Sequence, residues 1–140
     1  MSSGFIWIFL LGVLVVAVLV LVVIVMTRRG PMPLDTEKYQ CKWLEIERSL
    51  TRDNQVSYHM AILNADKLLD QALKEKRLPG ETMGQRMKNA EKMWSNVNST
   101  WAAHKLRNQI AHETDVNVSY DTIRRAMAAF KQSLKDLGAI

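Results

Sequence analysis

The sequence predicts an all-α protein: one N-terminal transmembrane helix followed by a bundle of four or five helices. Three observations carry this. Phe5 to Met26 contains no charged side chain. From Thr36 onward, apolar residues recur at alternating spacings of three and four, the period of a helix face. No stretch shows the two-residue alternation of a half-buried strand.

The chain has 140 residues and a formal net charge of +5, and every Lys, Arg, Asp and Glu lies beyond residue 27. The 48% hydrophobic fraction therefore averages two unlike parts. The sequence divides into a short tail at 1–4, a span at 5–26, a Pro-containing linker at 27–35 and a domain at 36–140. About 100 residues suffice for one modest hydrophobic core and no more. The single Cys41 excludes an internal disulfide, and one Cys in a helix is ordinarily inert.

At ~1.5 Å per residue the apolar run spans about 33 Å, enough to cross a bilayer's hydrocarbon core. It exceeds a signal-peptide core in length. No basic residue precedes it, and no small-x-small cleavage site follows. An uncleaved anchor in contact with the lipid bilayer is expected, with Trp7 at an interface. "MSSG" carries no charged side chain, whereas Arg28 and Arg29 follow the span directly. The positive-inside rule then puts the N-terminus outside the cell membrane and the domain in the cytoplasm. On that side the glycosylation-type tripeptides at Asn98 and Asn117 have no role. Pro31 and Pro33 stop the helix from running on into the domain.

Within the domain, Tyr39, Trp43, Ile46 and Leu50 step by four, three and four, one face of a first helix. Asp53 is placed to cap a second helix that runs to about Arg77 through Val56, Met60, Leu63, Leu68, Leu69 and Leu73. "LPG" at 78–80 ends it. Thr82 opens the next with a capping box to Gln85. A stripe of Met83, Met87, Ala90, Trp94, Val97 and Trp101 follows, and "NVNST" predicts a break near Asn96 to Thr100. A helix from about Thr100 to His112 comes next. The last, capped by Ser119, carries Tyr120, Ile123, Met127, Phe130, Leu134 and Leu137 at steps of three and four. Trp43, Leu69, Trp94, Trp101, Leu106, Ile110, Met127 and Phe130 are expected to share one core.

Chemistry concentrates in "AAHKLRNQIAHET", residues 102–114. His104, Asn108 and His112 recur at intervals of four on one helix face. Two His and an Asn with no neighbouring Cys make a poor zinc set, so no metal and no other cofactor is expected. "LRNQIAHE" resembles the signature of the HEPN superfamily. These are small helical domains in which an Arg and a polar residue precede a His by four to six positions. Arg107, Asn108 and His112 fill the three places. The resemblance covers most of residues 53–137, with "AILNADKLLDQALKEKRLPGETMGQRMK" as the earlier long helix and turn and "YDTIRRAMAAFKQSLKDL" as the closing helix.

That resemblance implies metal-independent RNA cleavage by a homodimer. The RNA 2′-hydroxyl would attack, His112 would move the proton, Arg107 would stabilise phosphate charge, and His104 would be auxiliary. Asn108, one turn earlier, is placed to orient His112. Arg107 and His112 lie about 140° apart around an ideal helix, so two copies of the chain are needed to aim both at one phosphate. Against this stands a structural role. A His at a helix C-terminus interacts well with the helix dipole, and Arg107 is placed to pair with Glu113 or Asp115. Several families of this resemblance also lack shown catalysis. The expected function is therefore a membrane-anchored, non-catalytic interaction or scaffold module with an unidentified protein partner, and the alternative is the ribonuclease. Basic residues are spread over several helices and fit RNA phosphates or anionic lipid equally, while a simply solvated basic surface is the first expectation.

Overall fold

A computed structural model describes residues 3–27, 30 and 32–140. Arg28, Arg29 and Pro31, on which the orientation and part of the linker expectation rest, lie outside the described residues. Helix α1 (Ser3–Thr27) stands as a unit of its own. Its stretch Gly4–Met26 is long and apolar enough to cross a membrane, by length and composition, and none of it is buried against protein. A signal sequence shares that character.

The second unit is all-helical: α2 (Thr36–Ser49), α3 (Gln55–Glu75), α4 (Met83–Asn89), a short 3₁₀ turn (Glu91–Met93), α5 (Val97–His112) and α6 (Tyr120–Asp136). It is the predicted bundle, with α4 the shortest of five helices. The long α3 lies against α2, α5 and α6, and α5 also packs on α6.

Each of α2 to α6 begins with a side chain that accepts from an otherwise orphaned backbone N–H. Asp35 accepts from Lys38 N for α2, and Ser119 from Thr122 N for α6. Thr82 and Gln85 form the expected capping box. Two boundaries differ from the sequence expectation. Asn54, not Asp53, caps α3; Asp53 takes a left-handed backbone (φ 62°) that turns the chain, a conformation Asp tolerates. The break expected at Asn96 to Thr100 comes earlier. The helix from Thr82 ends at Asn89, and Asn96 caps α5 by accepting from Ser99 N. Asn and Ser are poor inside a helix because they bond the local backbone, and that property makes them good starts.

The α3 terminus is a Schellman motif. Arg77 N donates to Lys74 O and Leu78 N to Leu73 O, with Arg77 left-handed at φ 60°. The end of α6 repeats the motif with Gly138 at φ 71°. Gly80 is required for space as well, since a Cβ there would meet Arg86 N at 2.8 Å.

Tyr39, Trp43 and Ile46 are buried as their spacing predicts, as are Trp94, Met127 and Phe130. Trp101 and Leu106 are only partly covered, at the edge of the core. Val56 and Met60 depart from expectation at 72% and 50% exposure. The buried face of α3 is built instead from Tyr58, Ala61, Ile62, Ala65, Leu68, Leu69, Ala72 and Leu73. Its small alanines let the neighbouring helices approach closely, and they turn the Val56–Met60 stripe out of phase with the core.

Candidate functional site

The motif helix α5 faces α3, and there the two meet over one carboxylate. Asp66 is 2% exposed and lies on the apolar face of α3, four residues after Ile62 and three before Leu69. His104 Nδ1 is 2.7 Å from Asp66 Oδ1. Arg107 Nε is 3.1 Å from Asp66 Oδ2, at ion-pair distance but without the angle of a hydrogen bond. Arg107 also donates through a terminal nitrogen to Asn108 Oδ1 at 2.9 Å. Asn108 Nδ2 is 3.3 Å from His104 Nε2.

One proton assignment, with Asp66 as a carboxylate and His104 neutral, satisfies these contacts. An ionised Asp66 can only accept, so His104 carries its proton on Nδ1 and donates it. His104 Nε2 then has a lone pair and accepts from the Asn108 amide. The amide is oriented by Arg107, which can only donate and so claims its oxygen. Four side chains thus close a ring in which both nitrogens of His104 are taken. The His104 and Asp66 side chains are 12% and 3% exposed, while that of Arg107 is 34% exposed. Arg107 opens onto a groove of about 370 Å³ lined also by Met60, Leu63, Lys67 and Met83.

The structure brings His104, Arg107 and Asn108 together and leaves His112 out. His112 is exposed at the last turn of α5, and its side chain makes no hydrogen bond or ion pair with a described residue. Asn108 therefore orients His104 rather than His112. Arg107 pairs with Asp66 rather than with Glu113 or Asp115. The residue that sequence reasoning missed is Asp66. Its signal was a lone acid in phase with Ile62, Leu69 and Leu73, a place where charge is tolerated only with a partner.

A second ion pair lies beside the groove. Asp70 Oδ1 accepts from Arg86 Nε at 3.0 Å and Nη2 at 2.6 Å, and Lys74 reaches Oδ2 at 2.6 Å. Arg86 is 6% exposed and donates its remaining arm to Gly80 O. Burial alone would raise the Asp70 carboxyl. Hydrogen bonds and charge from Lys74 and Arg86 outweigh it and hold the group below the usual carboxylate range. Among the described residues, no three His, Cys, Asp or Glu side chains converge as metal ligands.

Compared with family models, with curated proteins and with solved structures, the chain matches none. The class that fold and site define is a helical bundle with an Asp–His–Arg cluster around the buried Asp66, on a chain whose described residues include one helix of membrane-spanning length.

Proposed function

We propose that this protein is a membrane-anchored helical-bundle module that acts by binding a partner and not by catalysis. The observation that carries the reading is the closed ring around Asp66. The ring engages Arg107, Asn108 and the auxiliary His104, and leaves His112, the residue that would move the proton, apart from them. Arg107 spends its charge on a buried carboxylate that would otherwise be costly. The helical bundle then serves as a scaffold. In this reading residues 5–26 span the cell membrane, and Arg28 and Arg29 hold the bundle on the cytoplasmic side.

The test is incubation of the full chain, in detergent, with labelled RNA in EDTA. The scaffold reading expects no cleavage, and Arg107→Ala lowers stability. One observation favours a second reading, a metal-independent HEPN-type endoribonuclease acting as a homodimer. Arg107 and His112 both reach solvent and are open to a second copy. That reading expects EDTA-resistant cleavage, abolished by His112→Ala with little change in melting temperature. Cleavage that persists in both variants would come from a contaminant and would remove the ribonuclease reading.

A further inference from the structure

The outer face of α6 carries a line of cations that neither the Asp66 cluster nor the core uses. Arg124, Lys131 and Lys135 are spaced by seven and four residues, which puts them within an arc of about 40° on an ideal helix. The line runs for about 16 Å along the axis. Arg124 and Lys135 are exposed and form no salt bridge among the described residues. Lys131 marks which side of the bundle this is: its Nζ is 2.8 Å from Glu47 Oε1 on α2 and stacks toward the Trp43 ring. Arg52, just beyond α2, extends the line by lying over the Tyr120 ring at the start of α6.

Three carboxylates flank the line. Glu47 is held by Lys131. Asp136 accepts from Ser95 and Gln132. Asp121 sits in the first turn of α6, where the helix dipole favours a negative charge. Set against Glu47, Asp121 and Asp136, the cations Arg52, Arg124, Lys131 and Lys135 leave a net charge of +1, exposed Arg125 adds to it, and the hollow lined by Asp121, Arg124, Arg125 and Ala128 is wide open to solvent. That chemistry suits a flat, dispersed array of negative charges better than a shaped ligand.

Chain length names the array. This step rests on the proposal that residues 5–26 span the bilayer. The nine residues 27–35 reach at most about 30 Å at roughly 3.3–3.6 Å each. A domain of this size has a radius of gyration of about 13 Å. The bundle is thus confined within roughly its own diameter of the lipid headgroups, and weak attraction suffices to seat it. We infer that the Arg124–Lys131–Lys135 face docks on anionic phospholipid headgroups of the membrane that anchors the chain. Each cation brought to an anionic surface contributes about fivefold in partitioning, and the attraction is screened over about 8 Å at physiological salt.

The test uses the full chain in lipid nanodiscs, with a fluorophore on Ala128→Cys in a Cys41→Ser background and a quencher on the lipid headgroup. Ala128 is exposed on the same face as the cations. A label at the exposed Gln109→Cys of α5 serves as the control. Docking predicts strong quenching at position 128, but not at 109, in phosphatidylglycerol discs. The effect disappears in phosphatidylcholine discs, in molar salt, and in the Arg124→Glu, Lys135→Glu double variant. Quenching that is equal in both lipids, equal at both positions, or unchanged by the double variant overturns the inference. So does a short RNA oligonucleotide that binds through Arg124 and Lys135 while quenching ignores lipid charge; the face is then a nucleic-acid surface. A chain that fails to enter nanodiscs at all refutes the anchor reading instead, and the docking with it.

Discussion

Asp66 on α3 and His104 on α5 meet Oδ1 to Nδ1 at 2.7 Å, with side chains 3% and 12% exposed. A carboxylate so placed is tolerated because its partners travel with it. Asp66→Ala strips the counter-charge from Arg107 and the acceptor from His104, and should cost about 3–5 kcal/mol. Replacing the group together, Asp66→Leu with His104→Leu and Arg107→Met, should recover most of that loss. Urea unfolding of the wild type, Asp66→Ala and the triple variant checks this. A triple variant no better than Asp66→Ala would mean the cluster is more than compensation for a buried charge.

His112 and Arg107 separate on the same measurement. The exposed His112 side chain makes no hydrogen bond or ion pair among the described residues, so His112→Ala should change stability by no more than about 0.5 kcal/mol. Arg107→Ala loses a charge-assisted hydrogen bond and an ion pair, worth about 1.5–3 kcal/mol. Equal losses in thermal or urea unfolding would put His112 in a contact that the chain alone does not show, such as one in a dimer.

The helices were legible because the apolar spacing is regular and the caps are chemically specific. Thr82–Gln85 and Ser119 stand where their side-chain chemistry puts them. What escaped depends on choices between near-equivalent neighbours. Asp53 and Asn54 are both cap formers, and the turn from α2 decides between them. Val56 and Met60 look like core until the alanines of α3 take that face. At the site, periodicity placed His104 and Asn108 on one side of a helix but could not say that α3 brings Asp66 to meet them 38 residues away in sequence. Long-range partners of a polar residue leave no local signal beyond an acid in an apolar stripe.

The two Schellman turns make an internal comparison. Gly138 adopts φ 71° at no steric cost, whereas Arg77 adopts φ 60° against its Cβ. Arg77 is exposed and takes part in none of the ion pairs. Arg77→Gly should therefore stabilise the bundle, by about 0.5–1 kcal/mol after the added freedom of the unfolded chain is subtracted. A rise in melting temperature is expected, and a fall would mean that the Arg77 stem packs on its neighbours.

Phe130 is fully buried on α6 at the centre of the core. Phe130→Ala should cost about 3–5 kcal/mol through lost transfer energy and the cavity left behind. Domains of this kind hold only ~5–15 kcal/mol in all, so the variant should unfold at much lower denaturant. A shift of the midpoint without a change of slope would confirm that the loss is in the folded core.

Acid should weaken the bundle through Asp70. Its carboxyl is held below the usual range in the folded chain by Lys74 and Arg86, against the opposing effect of burial. A depressed folded value means that the unfolded chain takes up the proton first as pH falls. The stability that Asp70 contributes is thus fully present above the unfolded value of about 4, and it drains away as pH drops from there through the folded value. Glu47, paired with Lys131, and Glu75, paired with Lys38, are lowered too, but both lie nearer solvent and should add less. Asp70→Asn leaves the buried Arg86 without its counter-charge and should cost about 1.5–3 kcal/mol at neutral pH. Measured by urea unfolding from pH 7 to pH 3, the gap between wild type and Asp70→Asn should stay constant to about pH 4 and then close. A gap that persists below pH 3 would place the loss in packing and not in the charge on Asp70.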